Sequence, residues 1–344
     1  MLIELETVLK SAISGGTSTS DQMAAAIGVI MDGKADPVEI AALLAGLAVR
    51  GETAQELAGA AAAMRARATP IATSAKGVLD TCGTGGDQLH TFNISTAAAI
   101  VAAAAGVPVA KHGNRQASSK SGSADVLEAL GVDITLSPEA VGQCIDEIGI
   151  GFCFARLLHQ AMQYVAPVRQ KLGIRTIFNL LGPLTNPAGA EYQLLGTNRV
   201  ATARKLAEAK AQLGGTRTLV VCGADQLDEV SLWGTTTVFD VQRGQIEERH
   251  WTVEDMGLPG CSPADLVVGS PAESAAVIRE VLAGKEGPAR NIVLANTGAA
   301  LFTAGKASEL REAVKLAARA IDSGAARAKL DALIQFSRNR LSSK

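Results

Sequence analysis

Apolar residues near the start of the chain recur at helical spacing. Ile40, Leu43, Leu44 and Leu47 fall on one face of a helix. Asp36-Pro37-Val38-Glu39 ahead of them reads as a start: an Asp N-cap, a Pro at the first helical position and a Glu reaching back. Gly51 stops that helix, and Thr53-Ala54-Gln55-Glu56 opens another with a second capping box. The opening MLIELETVLK is also an amphipathic helix. Residues 1 to about 68 therefore read as all helix, and Pro70 ends the region.

From Gly77 the period changes. Short apolar runs alternate with helical stretches: Val78 to Asp80, a helix to Ala105, Val107 to Ala110, and a helix from Ala124 to Leu130. Further short runs follow at Ile150 to Phe154, Thr218 to Cys222 and Thr236 to Val241. This alternation predicts βαβ units and a mostly parallel sheet. Thr235 to Trp251 reads as a hairpin around Arg243-Gly244, and Ser270-Pro271-Ala272-Glu273 caps another helix. The last forty residues or so read as two Ala-rich helices. The stretch around 165–190, VAPVRQKLGIRTIFNLLGPLTNP, is helical although it interrupts the α/β part, and so could rejoin the first helices. The predicted fold class is α/β. A small helical domain (1–70, with the returning segment near 165–190) joins a large α/β domain (74–164 and 191–344) that has a central, mostly parallel sheet.

Composition narrows the function. In 344 residues, 32 basic and 34 acidic side chains give a net charge of −2, so no global field draws a polyanion and any anion site is built locally. Aromatics at 3% provide little for base stacking. The N-terminus lacks the basic start of a signal peptide, and the run Thr96 to Ala105 is shorter than the ~20 residues a membrane span needs, so a cytoplasmic protein is expected. Five scattered cysteines without C-x-x-C predict neither a zinc site nor a disulfide framework.

Three stretches carry anion chemistry. GTGGDQLHTFNIST, Gly83 to Thr96, places three glycines between a strand and a helix, where backbone N–H groups can converge on negative charge. It matches neither G-x-G-x-x-G nor the P-loop, and a plain strand–helix turn is the bland alternative. KHGNRQASSKSGSADVLEALG, Lys111 to Gly131, gathers Lys111, His112, Arg115 and Lys120 with Ser118, Ser119, Ser121 and Ser123, a set suited to phosphate oxygens. Asp228-Glu229 is usually an uninformative acidic turn, but beside phosphate it could hold Mg²⁺. A fourth stretch, His159 to Arg175, offers Arg169 and Arg175 for carboxylate capture, or simply an exposed helix face.

GTGGD (83–87), TFNIST (91–96), KHGNR with SGSADVLEALG (111–131), VAPVR with LGIRTIFNLLGPLTNP (165–187) and LDE (227–229), in that order, resemble the anthranilate phosphoribosyltransferase family over nearly the whole chain. The resemblance implies transfer of a 5-phosphoribosyl group from 5-phosphoribosyl 1-diphosphate (PRPP) to anthranilate, in tryptophan biosynthesis. It implies two Mg²⁺ per subunit and a homodimer associating through the helical domain. By position it assigns the donor to Gly83, Gly86, Asp87, Thr91, Asn93, Ile94, Ser95, Thr96, Lys111, His112, Gly113, Asn114, Arg115, Gln116, Ala117, Ser118, Ser119 and Ser123. It assigns the acceptor to Gly83, Asn114 and Arg169, with His112, His159 and Pro183 lining its path, and the metal to Ser95, Asp228 and Glu229. No acid or base catalyst is implied. Two positions depart from the family pattern, Arg156 and Gln160 in FARLLHQAM, where the family usually carries proline. A same-fold pyrimidine-nucleoside phosphorylase, or a relative that is non-catalytic or has a changed acceptor, is the alternative reading.

Overall fold

The computed structural model describes residues 1–115 and 121–341, so Gln116, Ala117, Ser118, Ser119 and Lys120 of the second anion stretch lie outside the described residues. The chain opens with four helices, α1 (Ile3–Ile13), α2 (Ser20–Met31), α3 (Pro37–Arg50) and α4 (Ala54–Arg65). Their starts are set by local chemistry. Thr19, Asp36 and Thr53 each close a capping box, and Pro37 occupies the first turn of α3. Glu56 is fully buried and accepts from the amides of Ser18 and Thr53 and from the Arg50 guanidinium. Burial alone would raise its pKa; Arg50 and the two amides outweigh that and lower it.

Next come β1 (Leu79–Gly83), α5 (Ile94–Ala104), β2 (Val109–Gly113), α6 (Ser123–Leu130), α7 (Pro138–Ile148) and β3 (Ile150–Phe154). Three short helices follow, α8 (Ala155–Leu158), α9 (Ala166–Leu172) and α10 (Phe178–Leu181). Then come β4 (Tyr192–Gly196), α11 (Val200–Leu213), β5 (Arg217–Cys222) and the hairpin β6 (Thr236–Gln242) and β7 (Gln245–Trp251). Helices α12 (Val253–Met256), α13 (Pro271–Leu282), α14 (Pro288–Thr303), α15 (Leu310–Asp322) and α16 (Ala325–Leu341) complete the chain. The strand β4 has no counterpart among the runs read from sequence. Its five residues follow directly on a Pro- and Gly-rich stretch, which masks so short a run.

The seven strands form one sheet in the order β3-β2-β1-β4-β5-β6-β7. The first five are parallel, and β6 and β7 are antiparallel at one edge. From β1 the chain winds outward to β2 and β3, then returns to β4 on the other side of β1. The connections therefore diverge between β1 and β4, the place where open α/β sheets form a crevice at the carboxyl ends of their strands. The register brings those ends level: Gly83 pairs with Gly196, and Gly196 with Val221.

One apolar core fills a face of the sheet under α5, α13, α14, α15 and α16. A second runs from the four N-terminal helices through Val165, Val168, Ile177, Phe178, Leu181 and Leu184 to α11 and the opposite face. Residues 165–184 thus pack with the N-terminal helices although β1 to β3 separate the two in sequence. Among the described residues no helix is long and apolar enough to cross a membrane.

Candidate active site

The loop after β1 and the loop after β5 meet over the sheet's carboxyl edge. Asp228 Oδ2 accepts the Gly85 amide at 2.9 Å, and Glu229 Oε1 accepts the Ser95 amide at 3.0 Å, at the first turn of α5. The approach is close enough to require glycines. A Cβ on Gly83 would lie 2.8 Å from Asp228 Oδ2, and one on Gly196 would lie 1.6 Å from the Asp228 carbonyl oxygen. Gly85 and Gly86 adopt φ of +66° and +88°, so they serve the turn itself. The Thr84 amide donates to Gly196 O at 2.9 Å, and Asn198 Nδ2 donates to Gly86 O at 2.8 Å, so the start of the glycine loop rests on the end of β4. Farther along, Phe92 N donates to Leu266 O and Val268 N to His90 O, which fixes Thr91 and Phe92 against the chain before α13.

Two of the amides that the sequence offered to a ligand, those of Gly85 and Ser95, are therefore occupied by the acid pair. Among the described residues the amides of Gly86 and Asp87 find no acceptor and remain for an anion. Asn93 makes no cap of its own for α5; its amide donates to Ser274 Oγ, and its Oδ1 accepts from the hydroxyls of Ser121 and Ser274. Ile94 and Thr96 are buried in the first turn of the helix.

The electrostatics of the acid pair are unusual. Burial first, and then the Asp87 carboxylate, push Asp228 up to about 7. Burial and the Asp228 charge push Glu229 up to about 8, against the pull of Lys111. Three carboxylates thus share a pocket with one ammonium. Lys111 is 3% exposed, and its Nζ donates to Thr81 O at 2.6 Å and to Ser95 Oγ at 3.4 Å. Burial lowers its pKa, while Asp80, Cys82 and Glu229 hold it up. Lys111 therefore lies beneath the glycine loop as part of β2, with its ammonium turned inward. No group of three or more His, Cys, Asp or Glu is placed to hold a metal among the described residues. The donor set is two carboxylates and the Ser95 hydroxyl, hard oxygen ligands short of positive charge. It fits an ion such as Mg²⁺, which takes one or two carboxylates and completes its shell with water and phosphate.

The second anion stretch is rearranged more. Arg115 forks onto Glu128 at 2.7 Å and reaches Asp125 at 2.9 Å, both on α6, so its charge is already matched. Asn114 is exposed and its carbonyl accepts from Ala124 N at 3.3 Å and Ser123 Oγ at 3.4 Å. A Cβ on Gly113 would lie 2.2 Å from Ser123 Oγ and 2.8 Å from the Phe152 ring, so glycine is required there.

On the other side of β2, His112 and His159 face one another with Nε2 atoms 3.2 Å apart, and both are nearly buried. His112 Nδ1 donates to Gly182 O at 3.1 Å, its amide donates to Asp80 Oδ1 at 3.0 Å, and neighbouring Pro183 accepts from Gln193 Nε2 at 2.6 Å. Burial lowers His112 to about 4 and His159 to about 3, so both are neutral at pH 7. With Nδ1 donating, His112 accepts at Nε2 and His159 donates there, leaving His159 Nδ1 as a buried acceptor without a partner. Arg169, on α9, donates to Asn179 Oδ1 at 3.2 Å and lies 5.8 Å over the Phe178 ring, while its Nε is buried and unpartnered. Arg156 is part of α8, and Gln160 is exposed at the start of the 3₁₀ turn that follows.

The structure joins Gly83, Gly85 and Ser95 to Asp228, Glu229 and Lys111, and separately joins His112, His159 and Pro183. Arg175, which the sequence offered with Arg169 for carboxylate capture, instead reaches over the glycine loop, its Nη1 within 2.2 Å of where a Gly86 Cβ would stand. Two other contributors were not singled out from the sequence. Asn296 is buried on α14 and holds both backbone groups of Val230, next to the acid pair, at 2.8 and 2.9 Å. Asn198 stands in plain sight after YQLLG, and reading that run as a strand would place it at the carboxyl edge. Asn296, inside an apolar helix, gives no such signal.

The helical bundle domain of a glycosyl transferase family matches residues 6–68, and the family's a/b domain matches residues 75–327. An anthranilate phosphoribosyltransferase of Moorella thermoacetica is 48% identical over 96% of this chain and 98% of its own length. One of Rubrobacter xylanophilus is 50% identical over 97% and 98%. Among solved structures, the enzyme of Thermus thermophilus superposes with a TM-score of 0.91 at 45% identity, covering 96% of this chain and 99% of that one. The enzyme of Saccharomyces cerevisiae in complex with PRPP and Mg superposes with a TM-score of 0.90 at 29% identity, covering 97% and 98%.

Proposed function

The chain belongs to this glycosyl transferase family, among the anthranilate phosphoribosyltransferases, and from that premise we infer how its own residues carry the reaction. It transfers the 5-phosphoribosyl group from PRPP to anthranilate, giving N-(5-phosphoribosyl)anthranilate and diphosphate, with Mg²⁺. The observation that carries the assignment of residues is the acid pair seated on the amides of Gly85 and Ser95. Anthranilate's amine nitrogen attacks C1 of the ribose, the bond from C1 to the diphosphate oxygen breaks, and the nitrogen gives up a proton.

Ser95, Asp228 and Glu229 would hold two Mg²⁺ ions per subunit. Such ions would supply positive charge to offset the charge that develops on the leaving diphosphate. The free amides of Gly86 and Asp87 serve that diphosphate's oxygens, and His112 to Arg115 with Ser123 contribute donor contacts; the assigned Gln116, Ala117, Ser118 and Ser119 lie outside the described residues. Lys111 acts from below as a fixed positive charge beneath Ser95. A phosphorolytic reading would leave the acid pair without a use.

The acceptor's carboxylate goes to Arg169, whose buried Nε lacks a partner. Asn114 and Gly83 complete its contacts, and the neutral His112–His159 pair and Pro183 wall its path. A neutral wall suits an amine that must stay unprotonated to attack. The yeast enzyme has been solved in complex with 4-fluoroanthranilate, at 28% identity and a TM-score of 0.87. Two copies associate through the helical domain, an arrangement supported by Ile3, Ile13, Val38 and Val49, which stand exposed on α1 and α3. A donor as highly charged as PRPP supports a cytoplasmic reaction.

The test is loss of anthranilate fluorescence in the presence of PRPP and Mg²⁺. Consumption that stops on chelation and in Asp228→Ala/Glu229→Ala is expected. Turnover indifferent to both changes would remove the metal assignment.

A further inference from the structure

Far from the glycine loop, at the amino ends of β4 and β5, a cavity of about 420 Å³ opens between α4, the 183–193 stretch and the end of α11. Lys210 lines it from the last turn of α11. The side chain is 5% exposed and has no hydrogen-bond or ion-pair partner among the described residues. A position near a helix C-terminus favours a cation, but it does not replace the water a buried ammonium has given up. Buried charges are ordinarily paired.

Arg65, at the end of α4, lines the same cavity. Its Nε donates to Leu184 O at 2.7 Å, and its remaining N–H groups find no acceptor among the described residues. Two cations therefore share one cavity and repel each other. Among the described residues the wall's single carboxylate, Glu191, accepts the Gly77 amide at 2.6 Å and makes no ion pair with either cation. Asn186, Gln193 and Thr216 supply further polar groups. Gln193 Oε1 is itself buried without a partner. The space exceeds what a lone water or chloride needs and suits a small organic molecule.

We propose that this cavity is a second ligand site, one that binds a small oxyanion, a phosphate or a carboxylate, between Lys210 and Arg65. The ligand bridges α4 of the helical domain and α11 of the α/β domain, and it gives Lys210 a direct partner, where the buried Asp80 behind Gln193 acts on it only through space. The site shares no residue with the acid pair or the glycine loop, and of the acceptor residues it shares only Pro183, which lies on its wall; its two cations have no part in the assigned reaction. It differs from the donor site in chemistry as well, since it offers cations without a carboxylate pair for a metal.

Calorimetric titration of the intact enzyme with inorganic phosphate, and separately with propionate, tests this and tells the two oxyanions apart. Wild-type protein should show one saturable site that is absent in Lys210→Met, a change that keeps the side chain's length and removes an unpaired charge. Arg65→Gln should weaken the same site by about tenfold, the loss of one charge-assisted contact. Catalysis under saturating substrates should survive Lys210→Met. Equal stoichiometry and affinity for both probes in wild type and Lys210→Met would overturn the proposal. So would a wild type that binds neither probe at a site Lys210→Met removes.

Discussion

Asp228 and Gly85 stand 143 residues apart in sequence, and the carboxylate of one accepts the amide of the other at 2.9 Å. That contact ties the loop after β1 to the loop after β5 and fixes the acid pair against the glycine loop. Its support is equally close-fitted, because Gly196 leaves no room for a side chain beneath Asp228.

Gly196→Ala should therefore disable the enzyme without unfolding it. The added methyl would meet the Asp228 backbone at 1.6 Å, and β4 sits mid-sheet, so the 223–229 loop must give way. Overpacking of this kind costs about 1–3 kcal/mol. A displacement near 1 Å at a reacting centre costs roughly 10²-fold in rate. Steady-state kinetics alongside thermal melts will separate the two; an active but destabilised variant would show that the loop accommodates.

The acid pair makes stability depend on pH and metal in a defined direction. Both carboxyls have folded pKa values raised above their unfolded ones, so the folded state holds more protons between about 4 and 8. Metal-free protein should lose stability as pH rises through that window. Mg²⁺ should raise the melting temperature more at pH 8 than at pH 5, and Asp228→Asn/Glu229→Gln should melt higher than wild type without metal. Melts in EDTA and in Mg²⁺ at both pH values measure each of these; a metal effect independent of pH would contradict them.

Arg169→Ala should separate acceptor from donor. Loss of a charge-assisted contact costs about 1.5–3 kcal/mol, which is roughly a 10- to 100-fold rise in the anthranilate KM. The PRPP KM should change little. Initial-rate measurements with each substrate varied decide it, and a rise confined to PRPP would relocate the acceptor pocket.

His112 and His159 work in the opposite sense to the acids. Their folded pKa values, about 4 and about 3, lie below the usual 6.5, so the unfolded chain takes up the extra protons. Stability should fall as pH drops from about 6.5 toward 4, by on the order of 2 kcal/mol from His112 alone at pH 5. Urea unfolding of wild type and His112→Gln across that range tests it, because the variant should lose much of the slope.

Glu56→Ala should cost about 3–5 kcal/mol, since it strands the Arg50 guanidinium and two amides at a site where Glu56 is fully buried. Calorimetric melting would show the loss, most clearly in the helical domain.

Local sequence determined a good deal. The capping boxes at Asp36 and Thr53, the turn at Arg243-Gly244 and the strand at Ile150 to Phe154 all appear where residue chemistry placed them, because each rests on interactions a few residues long. The motifs GTGGD, KHGNR and LDE were likewise legible as pieces, and their order was enough to indicate the family. Tertiary structure alone decided how those pieces are used. It gave the Gly85 and Ser95 amides to Asp228 and Glu229, turned Lys111 inward, matched Arg115 to α6, and brought Arg175 over Gly86. Those outcomes depend on which strands lie side by side and in what register. Contacts between residues a hundred or more apart are selected by the packing of the whole sheet, and no short window of sequence contains that information.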